Sequence, residues 1–196
     1  MKMSFVTKYV SMALIVLACW QIGQGVYIYA KAQLAQYLIA SSWQESEMGN
    51  RQVKPWAWAD MWPVAKLVVA EHDIEQYVLA GTSGESLAFG PGHVFSSAAP
   101  ATTGNTVIAA HRDTHFAFLQ NIQKGEVISI SSVGGEQRDY VVQDMMVVDK
   151  NDVAWLYEEA YDYQLSLVTC YPFNAIQPGG NLRFVVRAVS LSDISV

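Results

Sequence analysis

The chain has 196 residues, 52% of them hydrophobic and only 15% charged, with a formal net charge of −6. Typical soluble domains run near ~45–50% apolar and ~25% charged, so the balance leans toward a membrane-attached protein. Lys2, Lys8 and Lys31 precede all eighteen acids, so the part after the apolar run holds nine bases against eighteen acids, or −9, and an electrostatic footprint for nucleic acid or anionic lipid is excluded there.

The first element is the uncharged run YVSMALIVLACWQIGQGVYIYA between Lys8 and Lys31. As a helix rising 1.5 Å per residue it spans roughly 33 Å, enough for a bilayer core. Ala30-Lys31-Ala32 resembles a small-residue cleavage site, but the strongly apolar part ends near Ile22. That spacing is too long for a cleavage region, so an uncleaved transmembrane anchor is expected. Lys2 and Lys8 before the span predict a cytoplasmic N-terminus and an extracytoplasmic body. Gln21, Gly23, Gln24 and Gly25 weaken the span slightly, as residues tolerated there or turned to a partner helix.

Beyond the anchor, KAQLAQYLIASSWQESE has apolar residues at helical spacing and reads as a short stalk helix. MGNRQVKPWAWADMWPV follows with prolines and three tryptophans, either a linker or an arm lying on the domain. Trp56, Trp58 and Trp62 suit a membrane-interface belt or packing on the domain equally well. The expected organisation is residues 1–31 as cytoplasmic N-terminus and anchor, 32–61 as stalk and linker, and 62–196 as the globular body.

From Ala65 the pattern changes to short β-strands punctuated by turns. AKLVVAEHDIEQYVLA reads as two strands about an acidic turn, and NTVIAAH as a buried strand. EVISISSVGGEQRDYVVQDMMVV reads as a hairpin around Gly134-Gly135; QLSLVTC and LRFVVRAVSL complete the set. Short helices are expected in DTHFAFLQNI and NDVAWLYEEA. Many short strands in one domain predict a mainly β fold, a closed barrel or a sandwich with helices on its connections.

Two cysteines are present, Cys19 in the span and Cys170 near the end of the body, so they cannot pair within one chain. A lone thiol outside the cytoplasm is either buried and inert or used chemically. Cys170 closes the strand QLSLVTC before Tyr171-Pro172, where a proline interrupts the ladder. Arg183 opens the next strand after QPGGN, and antiparallel pairing of the two strands would bring both residues to one end of the sheet. As an isolated pair they read equally as a small core residue and a surface cation.

Only four histidines can partner the thiol. His72 lies in the polar turn AEHDIE, and His93 sits among the turn residues of FGPGHVF. His111 stands where the apolar strand TVIAA gives way to the polar HRDTHF, a rigid strand end beside an open loop. His111 and His115 have the spacing of a metal pair, but no HExxH glutamate or third ligand accompanies them.

Taken together, the residues resemble the sortases, membrane-anchored cysteine transpeptidases built on an eight-stranded β-barrel. SLVTC at Ser166–Cys170 is similar to the family's TLxTC, with serine in first place; AHR at Ala110–Arg112 matches its GHR-like histidine setting; LRFVV matches its arginine strand at Arg183. FGPGH, HRDTHFAFL and TCYPF further resemble the sortases of Gram-negative bacteria, and the likeness runs from about Trp62 to the C-terminus. The resemblance implies His111, Cys170 and Arg183 as the catalytic set, on a barrel with short connecting helices behind a transmembrane helix. It implies a client protein with a C-terminal, LPxTG-like sorting signal and an amine acceptor, at an inner membrane with the catalytic domain in the periplasm. No cofactor or metal is called for. Thr169, beside the thiol, is a candidate substrate contact. So is Trp155, with Leu156 and Tyr157, in the stretch from Asp149 to Tyr163, as a pocket wall or as a helix packed on the barrel. Two alternatives share parts of this reading: a hydrolytic cysteine endopeptidase, and a membrane-tethered β-domain that only binds partners.

Overall fold

The computed structural model describes residues 5–49, 52–157, 162–177 and 179–194. The chain divides into two compact units, residues 1–37 and 38–196.

The expected anchor and stalk form one uninterrupted helix, α1, Phe5–Glu47. The charge at Lys31 marks the end of the apolar run but not of the helix, because no proline or glycine stands there, and Ala, Lys, Gln and Leu all favour helix propagation. By length and composition α1 is able to cross a membrane. Its side chains from Tyr9 to Tyr29 are exposed, including Leu14, Ile15, Trp20 and Ile28.

The second unit begins with the last turns of α1. Ile39 is buried with Ala59, Met61 and Leu79, and Trp43 meets Tyr77 with ring centroids 5.9 Å apart. Trp56 packs edge-on against Phe89 at 5.1 Å, whereas Trp58 is 80% exposed. Residues 38–49 and 52–61 therefore lie on the domain as an arm.

The body is a closed barrel of eight strands in the order β1-β2-β3-β4-β7-β8-β6-β5. The strands are β1 Pro63–Val69, β2 Ile74–Ala80, β3 Gly92–His93, β4 Gly104–Ala109, β5 Val127–Ser132, β6 Gln137–Asp149, β7 Tyr163–Tyr171 and β8 Leu182–Ser190. Neighbours are antiparallel except β2–β3 and β4–β7, which are parallel. Alternation does the local work: β1 buries Ala65, Leu67 and Val69 and leaves Val64, Lys66 and Val68 partly exposed. The same rule sends Ile108, Ile128, Ile130, Leu165, Leu167 and Val186 into one core with Phe116 and Tyr140. The β5–β6 hairpin turns at Gly134-Gly135, where Gly135 has φ 82, a conformation that favours glycine.

α2 Gly84–Phe89 and the two-residue β3 were not visible in the pattern. Both are too short for a period to register. The oxygen of Ser83 caps α2 by accepting from Ser86 N–H at 3.1 Å. β3 needs Gly92, because a Cβ there would lie 2.2 Å from the Gly81 carbonyl oxygen.

Of the two expected helices on connections, the first is shorter than the sequence suggests. In the first, Phe116 N–H closes a turn onto His111 O at 3.0 Å, and only Ala117–Gln120 is helical, as a 3₁₀ turn. Phe116, Phe118 and Leu119 are all buried, a demand that a single α-helical stripe does not meet. In the second, Ala154–Tyr157 forms a 3₁₀ turn, and Glu158 to Tyr161 lie outside the described residues.

Candidate active site

The β7–β8 ladder runs without a bulge and pairs Val168 with Val185 and Cys170 with Arg183. Directly opposed residues of an antiparallel pair share a face. Val168 and Val185 lie in a second apolar cluster with Val107, Trp155, Met146 and Val148, apart from the main barrel core. Cys170 and Arg183 continue that face by one alternation toward the strand ends.

The adjacent ladders extend the row. On one side β6 pairs Val148 with Arg183. On the other, parallel β4 pairs Val107 with Ser166 and Ala109 with Val168. Two residues beyond that last pair, along the same offset, stand His111 and Cys170. The ladder holds past the end of β4, since Ala110 N–H donates to Val168 O at 3.2 Å. His111, Cys170, Arg183 and Val148 thus stand level across β4, β7, β8 and β6. Strands in a sheet are about 4.8 Å apart, so the thiol backbone lies within one strand spacing of both basic residues.

Exposure suits chemistry at this row: His111 is exposed, and Cys170 and Arg183 are half-buried. The Arg183 guanidinium donates through Nη1 to Gly180 O at 2.8 Å and Leu182 O at 2.9 Å. Its bonds go to carbonyls, and no described carboxylate forms an ion pair with it.

The other histidines are placed elsewhere. His72 meets Glu126 at 2.8 Å beside the β1–β2 turn. His93 is buried, its Nε2 2.9 Å from Ala98 O, and burial lowers its pKa against a smaller opposing effect of that bond. His115 is half-buried; desolvation, and then the charge of His111, lower its pKa. No group of three or more His, Cys, Asp or Glu suited to a metal ion exists among the described residues.

The two expected substrate contacts have structural partners. Thr169 is 2% exposed, and its hydroxyl donates to Ala110 O at 2.7 Å. It ties β7 to the backbone carrying His111 instead of presenting an open hydroxyl. Trp155 is 8% exposed, gives its indole N–H to Asp152 O at 2.9 Å and packs beneath the apolar face. Sequence reasoning missed the contribution of Arg112. Its visible signal was its place in AHR, directly after His111.

Residues 67–191 match the sortase domain family model. The chain belongs to the sortase family. Its sequence is 30% identical over 110 residues to Sortase D of Bacillus subtilis (strain 168), covering 56% of this chain and 55% of that protein. This sortase thus matches about half the length of that curated relative. Its fold is similar to Sortase A from Corynebacterium diphtheriae, with a TM-score of 0.60, 23% identity, and coverage of 80% of this chain and 84% of that one. It is also similar to sortase C from Clostridium perfringens with the C-terminal cell wall sorting motif. There the TM-score is 0.59 and the identity 18%, over 82% of this chain and 89% of the other. In this sortase Ser166, at the first position of the cysteine-strand motif, is buried and donates to Asn105 Oδ1 at 2.9 Å, so the hydroxyl there is a packing contact.

Proposed function

We propose that this sortase is a membrane-anchored cysteine transpeptidase of the Gram-negative type. It cleaves the C-terminal, LPxTG-like sorting signal of a client protein and transfers the client to an amine. The observation that carries the reading is the level row of His111, Cys170 and Arg183 at one barrel edge. It unites a nucleophile, a proton carrier and a fixed cation within neighbouring strands.

In this scheme the Cys170 thiolate attacks the scissile carbonyl. Arg183 turns some of its five donors to the developing oxyanion or the substrate backbone. Collapse breaks the C–N bond, forms the thioester, and passes a proton from His111 to the departing amine. His111 then takes a proton from the incoming amine, which displaces Cys170 and forms the new amide. The apolar cluster of Val107, Val168, Val185 and Trp155 continues this face and suits the aliphatic side chains of such a signal.

α1 supports the anchor reading, and Lys2 and Lys8 before its apolar part support a cytoplasmic N-terminus with the barrel in the periplasm. The proposed division is anchor to residue 31, stalk and linker at 32–61, and catalytic domain from residue 62.

The deciding experiment incubates the full chain in detergent with a library of LPxTG-like peptides, with and without a primary amine. Expected products are a Cys170 thioester and, with amine, the transpeptidated peptide. Hydrolysis alone at saturating amine would replace transfer by endopeptidase activity. Processing that persists in Cys170→Ala would remove the catalytic assignment from Cys170, and binding without any product in the wild type would leave the barrel a binding domain.

A further inference from the structure

Arg112 follows His111 in sequence yet is turned inward, 7% exposed. Its Nη2 donates one hydrogen to Ala175 O at 2.8 Å and the other to Gln177 O at 2.7 Å. Its Nη1 is buried and has no hydrogen-bond partner among the described residues. No described carboxylate forms an ion pair with it. Burying a guanidinium without a counter-charge is costly, so its position calls for a reason beyond solubility or packing.

The two acceptors supply one. Ala175 and Gln177 belong to the connection that leaves β7 just after Cys170 and returns as β8 just before Arg183. Near its return this connection is held by Arg183, which donates to Gly180 O, and by Lys150 N–H, which donates to Asn181 O. At its tip, among the described residues, the side-chain bonds from another part of the barrel come from Arg112. The residue between the two bonded carbonyls, Ile176, is 100% exposed, so no burial of its own side chain holds the tip down.

We propose that Arg112 is a positioning residue, pinning the tip of the β7–β8 connection to the backbone that carries His111. One side chain thereby fixes the spacing between the histidine end and the cysteine–arginine end of the site. It acts through the loop and touches neither the reacting atoms nor the thiol. This role rests on the proposed transpeptidase reading for its effect on turnover; the mechanical link itself does not.

The test uses the full chain in detergent and three variants. Arg112→Met keeps the stem and removes every donor, Arg112→Gln keeps a neutral amide, and Arg112→Lys keeps a charged donor. Hydrogen exchange of backbone amides in residues 172–181 is compared with exchange in β1, β5 and β6. Arg112→Met is expected to raise exchange in the connection at least tenfold and leave the three strands unchanged, with Arg112→Lys recovering at least half the protection. On a cleaved LPxTG-like peptide, KM should rise at least fivefold in Arg112→Met while alkylation of Cys170 by iodoacetamide stays within twofold of wild type. Unchanged exchange in 172–181 would overturn the proposal, as would a rise spread equally through the strands or a loosened loop with unaltered KM. If Arg112→Met does not fold, the same exchange comparison is made with Arg112→Gln and judged by the same outcomes. If wild type cleaves no peptide, the transpeptidase reading fails, and exchange alone decides whether Arg112 holds the loop.

Discussion

Cys170 and Arg183 are directly opposed across the β7–β8 ladder, yet the guanidinium bonds to the carbonyls of Gly180 and Leu182. Both acceptors lie on its own side of the hairpin, so the arginine is held at the thiol's level, and no described carboxylate pairs with its charge. A planar group with five donors can keep some of these bonds while turning others toward substrate.

Arg183→Lys keeps the charge but loses the fork. We expect kcat to fall about 10²–10³-fold, the usual effect of losing an oxyanion donor. The full chain should retain its melting temperature, because Arg183 is half-buried at a strand end. Steady-state kinetics on a cleaved peptide checks this, and turnover at the wild-type rate removes Arg183 from the site.

Thr169→Val removes the bond to Ala110 O while keeping the shape of the side chain. A buried acceptor left without its donor costs about 1–3 kcal/mol, readable by urea unfolding. Activity should fall with it, since the same bond holds the backbone beside His111. Thr169→Ser, which restores the hydroxyl, should recover both. Full activity in the valine variant would show that the tie to Ala110 is not needed to place the histidine.

Trp155→Ala empties the centre of the second apolar cluster and should destabilise the domain by about 3–5 kcal/mol. Trp155→Phe keeps most of the packing and gives up the bond to Asp152 O, so a loss of about 1 kcal/mol is expected. Equal stability of the alanine variant and wild type, by the same denaturant titration, would contradict this packing role.

His93 sets an acid limit. Burial lowers its pKa in the folded chain from the ordinary 6.5, so the unfolded chain takes up the proton more readily. Its contribution is fully present above pH 6.5 and is lost as pH falls from there through the lower folded value. Half-buried His115 shifts in the same direction. Melting temperature should therefore drop as pH falls below 6.5, and His93→Gln should flatten that slope. An unaltered slope in the variant would assign the acid sensitivity to other groups.

The strands that carry the site were legible because each is long enough for its alternation to repeat. β1, β2 and β4 to β8 all correspond to segments marked out by β-branched runs and turn residues. β3 and α2 escaped because two and six residues hold no period. The hairpin from Cys170 to Arg183 was legible for a further reason: its strands are consecutive, so a short connection dictates antiparallel pairing. The role of Thr169 was not, since its partner, the Ala110 carbonyl, is 59 residues away. Arg112 was hidden likewise, its acceptors 63 and 65 residues distant.

By itself, then, the sequence determined the apolar helix, the mainly β body, and the chemical identities of His111, Cys170 and Arg183. These follow from composition, local periodicity and motif, properties written within a few residues of one another. Tertiary structure alone decided that parallel β4 docks beside β7 in the register that brings His111 level with Cys170. It also decided that Thr169 and Arg112 spend their donors on backbone carbonyls. Register between distant strands is chosen by the whole barrel as it closes and buries one face of every strand, and no local stretch of residues encodes that choice.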